Sequence, residues 1–426
     1  MKRAIRFKRL TALALSALML TGSFAVGGAM PASAAVGGTG TSAEEFKDEL
    51  NTQSYTSYYE GVIAEGAALS QAAKDYLGTA GNTGMYKIPV DITKYTTSGT
   101  SESDPVSSVA DLIVRLEDAL AVETMKQEKE KLAERIKASK GALLASDTLY
   151  LPEVGSVTFE VEISAEQAGL YSIMIQYYAI SGSTSAVERM LYIDGKIPFS
   201  QSRALSMTKQ WEYKYAEDAD GNPLLDKDGN PTFKTDLQGN HVRAAIQQVY
   251  GWRTYECSDS DGFVNHPFEF YLTEGTHTIT LRGVREGVII RSLSLVADSY
   301  TANNWVDEDG EIKKNEYTYE QYLKDVNAAM QNRPSTQKLH MQAETPYLVS
   351  DSSVYAAADR SSAITEPSRP DAQLLNTLGK SSYDTIGQWA SYGFTVDEAG
   401  LYQIVMRYKQ DSMRLVERDS RRCHPG

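Results

Sequence analysis

Five side chains, Arg189, Trp211, Tyr250, Trp252 and Arg253, fall where a strand-like pattern gives way to loop, and they set aromatic rings beside guanidinium donors. An aromatic face packs on an apolar ring surface and a guanidinium donates to hydroxyl or carboxylate oxygens, so the set has the chemistry of a ligand-binding surface. Taken singly, each aromatic reads first as core and each Arg as surface charge; clustering is what marks them. Covalent chemistry leaves no comparable signal. There is no Gly-x-Ser-x-Gly and no phosphate loop, no Asp or Glu pair stands in a recognisable motif, and His241, His266, His277, His340 and His424 are scattered without ligand spacing. Carboxylates gathered from distant strands would be invisible here, yet a non-catalytic binding protein is the favoured reading.

Oxygen-rich turns offer a second chemistry. Asp218-Ala-Asp-Gly-Asn-Pro223 and Asp226-Lys-Asp-Gly-Asn-Pro231 repeat one pattern, and their carboxylates raise the question of calcium. A calcium loop of the helix–loop–helix kind wants Gly at its sixth position and an acid at its twelfth; here Pro223 and Pro231 hold the sixth, Gly229 and Leu237 the twelfth. The expectation is tandem turns in an exposed hairpin insertion. His277, beside a turn and within a strand, reads as structural.

The elements that must position these residues are strands. Gly169-Leu-Tyr-Ser-Ile-Met-Ile-Gln-Tyr-Tyr178 returns as Gly400-Leu-Tyr-Gln-Ile-Val-Met-Arg-Tyr408, identical at the Gly, the Leu, the first Tyr, the first Ile and Tyr177/Tyr408. Alternation puts Tyr171, Ile173, Ile175 and Tyr177 on one face, so the stretch reads as a core strand. Each copy follows a second strand, Val157–Ile163 and Tyr392–Val396, through a short acidic turn, and two copies of one hairpin imply two copies of one domain. Met85–Tyr95 reads as the first strand of domain one, Asp194-Gly195 as a hairpin turn, and Glu274–Arg282 with Gly287–Leu295 as its closing strands. Helical spacing of Val109, Leu112, Ile113, Leu116, Leu120, Leu132 and Ile136 predicts an inserted helix or hairpin over 105–140. Short helices are expected in Ala43–Leu77, and Tyr317–Tyr322 echoes Tyr55–Glu60, with Thr318 and Gln321 at capping-box spacing.

Met1–Ala34 begins with five basic residues, continues as an apolar run from Leu10 to about Leu20 and ends in Ala32-Ser33-Ala34, which reads as a secretory signal. No later stretch is apolar enough to span a bilayer. The net charge of −14 argues against nucleic acid or an anionic membrane as partner. Cys257 and Cys423 are too few for a disulfide framework, and a bridge between them stays open.

The Ala-Gly-Leu-Tyr strand, the Tyr192-Ile-Asp-Gly195 hairpin, the Glu274-Gly-Thr-His-Thr-Ile-Thr-Leu281 strand and the closing Ile-x-x-Leu-x-Leu resemble the galactose-binding-like sandwich of family 6 and family 35 carbohydrate-binding modules. With Ser185–Arg189, Asp194–Phe199, Asp359–Ser362, Thr365–Pro367 and Gly387–Trp389, the layout is similar to the N-terminal part of large Gram-positive extracellular solute-binding proteins; the resemblance covers residues 83–410 and departs at the helical insertion. It implies that Arg189, Trp211, Tyr250, Trp252 and Arg253 bind a glycan, and that Glu344, in Leu339–Glu344, helps to hold a structural calcium. A lone exposed Glu is the alternative there.

The expected fold is all-β dominated: tandem jelly-roll β-sandwiches with a helical insertion and helical linkers, the second sandwich incomplete. The boundaries are 1–34 signal peptide, 35–82 helical segment, 83–298 first sandwich, 299–335 helical linker and 336–426 second sandwich. An arginine-rich tail, Met413–Gly426, that drops the alternation suggests a truncated or frame-shifted product. The expected function is that of a secreted, non-catalytic sugar-capturing component of carbohydrate uptake, with a glycan as ligand and an ABC transporter permease as partner if the chain is part of a longer protein. A cell-surface spacer and a hydrolase with an unrecognised site are the alternatives.

Overall fold

Alternating apolar residues become antiparallel strands in the computed structural model. The structure describes residues 51–79, 85–143, 148–180, 183–264, 266–297, 305–306, 312–313, 324, 337–362, 364–385, 387–397, 400 and 402–409, all within the compact unit Ala43–Gly426. The signal-like segment, Tyr317–Tyr322, Cys423 and the arginine-rich tail lie outside the described residues.

Two short helices come first, α1 (Tyr55–Ala64) and α2 (Gln71–Gly78), each begun by a serine whose hydroxyl accepts a main-chain N–H of the first turn, Ser54 from Ser57 and Ser70 from Ala73. After β1 (Tyr86–Val90), β2 (Tyr95–Ser98) and β3 (Ser107–Ser108) comes the expected helical insertion as a helix pair, α3 (Val109–Val122) and α4 (Lys126–Ala142). The strands that follow are β4 (Leu149–Leu151), β5 (Ser156–Ile163), β6 (Gly169–Ala179), β7 (Val187–Ile193), β8 (Leu205–Met207), β9 (Gln210–Lys214), β10 (Ala245–Val249), β11 (Arg253–Glu256), β12 (Glu269–Leu272), β13 (Gly275–Arg285) and β14 (Val288–Ala297), all but β9 and β10 in the two sheets of a sandwich.

The two sheets form a β-dominated sandwich. In the seven-stranded sheet, β6 carries β11 and β12 along one edge and β14 along the other; β1 and β4 pair the far edge of β14, and β3 pairs β4. The five-stranded sheet runs β2-β5-β13-β7-β8. Between them Tyr171, Ile173, Ile175, Tyr177, Val288, Ile290, Leu293 and Leu295 meet Val157, Phe159, Val161, Ile163, Leu191, Ile279 and Leu281 in one core. The reading of β6 as a core strand holds, and its second face is covered too. Tyr178 and Ile180 pack with Tyr150 and Ile289 against Val109, Leu112, Ile113, Leu116 and Ile136 of the helix pair. Val109, Leu112, Ile113 and Leu116 recur at the i, i+3, i+4, i+7 spacing that lays one helical stripe on a sheet.

Gly169 has a steric reason to be glycine. A Cβ there would lie 2.5 Å from the Ser70 main-chain nitrogen, because the chain entering α2 runs directly over the start of β6. Two residues on, the Tyr171 hydroxyl sits 2.7 Å from Ser70 Oγ and 2.6 Å from the Gln167 carbonyl oxygen, tying the same crossing together.

A third core links sandwich and C-terminal segment. β9 pairs β10 on one side and β17 (Leu348–Val349) on the other, and β20 (Ala390–Ser391) follows β17; Trp211, Tyr213, Tyr215 and Phe233 are buried with Val349, Val354, Ala356 and Leu375. Two further two-residue ladders join β15 (Trp305–Val306) to β16 (Ile312–Lys313) and β18 (Ala356–Ala357) to β19 (Thr377–Leu378). The β15–β16 ladder stands within the expected helical linker, most of which is outside the described residues. The second hairpin departs from its sequence: Tyr392–Val396 and 402–409 form no strand, and Ile404, Val405, Met406 and Tyr408 are 80–87% exposed. Strand alternation stabilises only when another strand satisfies the edges, and here no ladder reaches them. No helix of the described residues is long and apolar enough to cross a membrane.

Where β13 bulges beside β7, a Cβ on Gly283 would fall 2.1 Å from the Glu153 carbonyl oxygen. Gly283→Ala is expected to lower the stability of the sandwich by about 1–3 kcal/mol through overpacking. Urea unfolding checks this, and an unchanged midpoint would show that the Glu153 turn yields freely.

Candidate ligand-binding face

Arg189 and Trp211 are not surface residues. Arg189 on β7 is 1% exposed, and its Nη atoms donate to the carbonyls of Glu188 (2.7 Å), Arg285 (3.0 Å), Leu151 and Pro152 (both 3.3 Å). Burial pulls its guanidinium down to about 10, which still leaves it charged at neutral pH. Trp211 lies opposite Gln248 and Val349 in the third core and is 5% exposed. Both correct the expectation of ligand contact, for one physical reason: Arg189 alternates onto the buried face of β7 with Val187 and Leu191, and Trp211 onto the buried face of β9 with Tyr213.

Arg253 and Trp252 are adjacent and point apart. Arg253 stands opposite Tyr177 and so shares the inward face of β6; it reaches the Val249 carbonyl at 3.5 Å, and burial lowers its guanidinium. Trp252 turns to the outer face, its ring edge-on to Tyr178 at 5.4 Å, with the Arg291 guanidinium 4.9 Å from its centroid. Tyr250 packs nearby on the helix-pair core, close enough to Glu134 and Tyr178 that their charges add to the burial that raises its phenol. Of the five named residues, the structure brings together Tyr250 and Trp252.

Their neighbours were not legible as a site. Between Ile290 and Ser292 the register of β14 against β6 shifts by one, so Arg291 is an extra residue and Ser292 faces Gln176. A bulge of this kind re-aims side chains. Here it lets two successive residues reach one acceptor: Arg291 Nε donates to Gln176 Oε1 at 2.8 Å and Ser292 Oγ at 3.1 Å. The Arg291 Nη groups have no hydrogen-bond partner among the described residues, and the side chain is half-buried. The signal was present in the sequence: inward apolar residues at 288, 290, 293 and 295 skip three positions once, at Arg291-Ser292. The face is a shallow strip of ring edges and fixed donors. Its polar groups can hold hydroxyls or a carboxylate, and it places no nucleophile against a base.

Glu344 is 3% exposed, and burial, with the Asp226 charge adding to it, raises its carboxyl to about 7. Asp226 is occupied by the main-chain N–H groups of Asp228 (2.9 Å) and Asn230 (2.8 Å) and by the Asn230 amide. Among the described residues no group of three or more His, Cys, Asp or Glu could hold a metal. A hard cation takes roughly 6–8 oxygens, main-chain and amide carbonyls among them, and Glu344 brings one carboxylate toward such a set. The Asp turns are turns as expected, and there are three: Asp236–His241 repeats the pattern of Asp218–Pro223 and Asp226–Pro231. The second and third clasp the C-terminal segment, Asn230 Oδ1 accepting from Gln342 N (3.1 Å), Asn240 Oδ1 from Gln373 N (2.7 Å) and His241 Nδ1 from Leu375 N (3.1 Å). His277 is structural as expected, with Nδ1 2.8 Å from Asp194 Oδ2 and Nε2 2.9 Å from the Thr273 carbonyl. Cys257 is a buried free thiol.

No family model matches this sequence, and no curated protein matches it. A solved structure of a native family 35 carbohydrate-binding module from Clostridium thermocellum is similar over 34% of this chain and 72% of its own, at 11% identity and a TM-score of 0.17. A likeness this slight carries no argument about ligand.

Two outcomes follow. Arg189→Ala removes the donor to four carbonyls, those of Leu151 and Pro152 in buried hydrogen bonds, and is expected to cost about 3–5 kcal/mol, read by chemical unfolding, with glycan retention by the folded protein unchanged. Glu344 holds its proton to about pH 7 when folded against 4.5 as its ordinary value, so the native state binds more protons between those pH values. Stability should therefore rise as pH falls from 8 to 5, by on the order of 3 kcal/mol, and Glu344→Gln should flatten that slope. An unaltered slope in the variant would assign the pH dependence elsewhere.

Proposed function

We propose that the half-buried strip around Arg291, on the outer side of the seven-stranded sheet, binds a glycan without cleaving it, with Arg291 as the principal donor and Gln176, Ser292, Tyr250 and the Trp252 edge around it. The observation that carries the reading is the Arg291 guanidinium: one N–H is fixed by Gln176 at 2.8 Å, the side chain is held against Trp252, and its Nη groups are left for a ligand. A donor held in this way loses little freedom when a hydroxyl or carboxylate arrives, which is what a shallow carbohydrate site requires. The slight likeness to a carbohydrate-binding module is compatible with this reading and adds no weight to it. On the same reading the chain is an exported, sugar-capturing component of carbohydrate uptake; the basic, apolar and Ala32-Ser33-Ala34 pattern supports export, and a membrane sugar permease is the partner this role requires.

Affinity electrophoresis of the purified chain through gels containing a panel of polysaccharides tests the proposal. At least one gel should retard the protein with no release of reducing sugar, and Arg291→Ala should weaken that retention about ten- to hundredfold, the loss of one charge-assisted hydrogen bond, with its unfolding midpoint nearly unchanged. Trp252→Ala, by contrast, is expected to lose stability as well as retention, because Trp252 packs on Tyr178. No retention on any glycan would favour a spacer, and sugar release a hydrolase.

A further inference from the structure

Residues 402–409 echo the sequence of β6, buried on both faces, yet none of them lies in a ladder among the described residues. Their side chains hold them near the C-terminal segment, through Arg407 Nη1 to the Ile364 carbonyl (3.1 Å) and Lys409 Nζ to Asp359 Oδ2 (3.2 Å). Ile404, Val405, Met406 and Tyr408 nonetheless stand 80–87% exposed. β6 shows what such a sequence needs: a paired strand on both edges and an apolar layer on the Tyr-Ile face. The strands that supply this to β6 are engaged with β6.

The order of residues indicates what fits. Tyr402-Gln-Ile-Val-Met-Arg-Tyr408 is nearly palindromic in residue type about Val405. Antiparallel pairing of two such segments sets Tyr402 opposite Tyr408, Ile404 opposite Met406 and Gln403 opposite Arg407, with Val405 on the two-fold axis. Residues 402, 404, 406 and 408 of both strands then share one aromatic and aliphatic face, and the polar pairs share the other. We infer that 402–408 is a self-complementary edge through which two copies of this chain associate, the isologous contact that a two-fold dimer demands. Like charge works against it, since each chain carries a net −14, but the segment itself contributes Arg407 and Lys409 and no acid.

Sedimentation equilibrium of the full chain should show a mass that rises from one chain toward two with concentration, and Val405→Lys, which puts two ammonium groups on the axis, should hold it at one. Register is read by cross-linking in a Cys423→Ser background. Val405→Cys should form an intermolecular disulfide under mild oxidation, because opposed residues of an antiparallel pair bring their Cα atoms to about 4.5–5.5 Å, within disulfide reach. Arg407→Cys should not, because its opposite residue is Gln403. A single-chain mass at every concentration, a dimer that Val405→Lys leaves intact, or equal cross-linking at both positions would overturn the inference. Glycan retention is read separately at Arg291, so either proposal can fail without the other.

Discussion

β6 is covered on both faces, and that burial is the constraint from which much of the rest follows. One face lies in the sandwich core and the other, toward its end, under the helix pair, so its main-chain groups can find partners only along its two edges. β14 supplies one edge, and β11 and β12 share the other. The crossing of the Ser70 chain over Gly169 then fixes where β6 begins. The helix pair is thus part of the scaffold, although it reads in the sequence as an insertion.

A strand held this tightly leaves little freedom for building a site, and the candidate face arises where the ladder breaks its own rule. One extra residue in β14 places Arg291 and Ser292 together on Gln176. Without the bulge, successive residues would point to opposite faces and only one of the two could reach that acceptor. The other departures from a plain alternating sandwich are buried polar side chains. Arg189 gathers four carbonyls, Lys209 reaches the Ser183 carbonyl at 2.7 Å and Glu286 at 3.5 Å, and His277 bridges Asp194 and Thr273. Each satisfies main-chain or charged groups at a strand end, where a ladder no longer does so.

The Asp-Gly-Asn turns extend the same logic outward. In each, the Asp carboxylate accepts the side-chain amide of the turn's Asn and main-chain N–H groups of its own turn, which holds the three carboxyls below their usual range. Asn230 and Asn240 then face the C-terminal segment and accept its N–H groups at Gln342 and Gln373, so a hairpin insertion in the sandwich becomes a platform for that segment.

Local pattern was enough for much of this. The strand alternation of β5, β6, β13 and β14, the helical stripe from Val109 to Ile136, the Asp194-Gly195 hairpin and the first two Asp turns were all legible, because each is set by neighbours two to four residues away in sequence. Tyr250 and Trp252 were legible as aromatics at a strand end. Tertiary structure alone decided that the faces of β7 and β9 carrying Arg189 and Trp211 would be the buried ones, that Arg253 would turn inward while Trp252 turned outward, and that Arg291, Ser292 and Gln176 would meet across a bulge. It also decided that the second copy of the core-strand sequence would form no strand. Alternation specifies the two faces of a strand, but whether a face is buried, and whether an edge is paired, depends on chain more than a hundred residues distant.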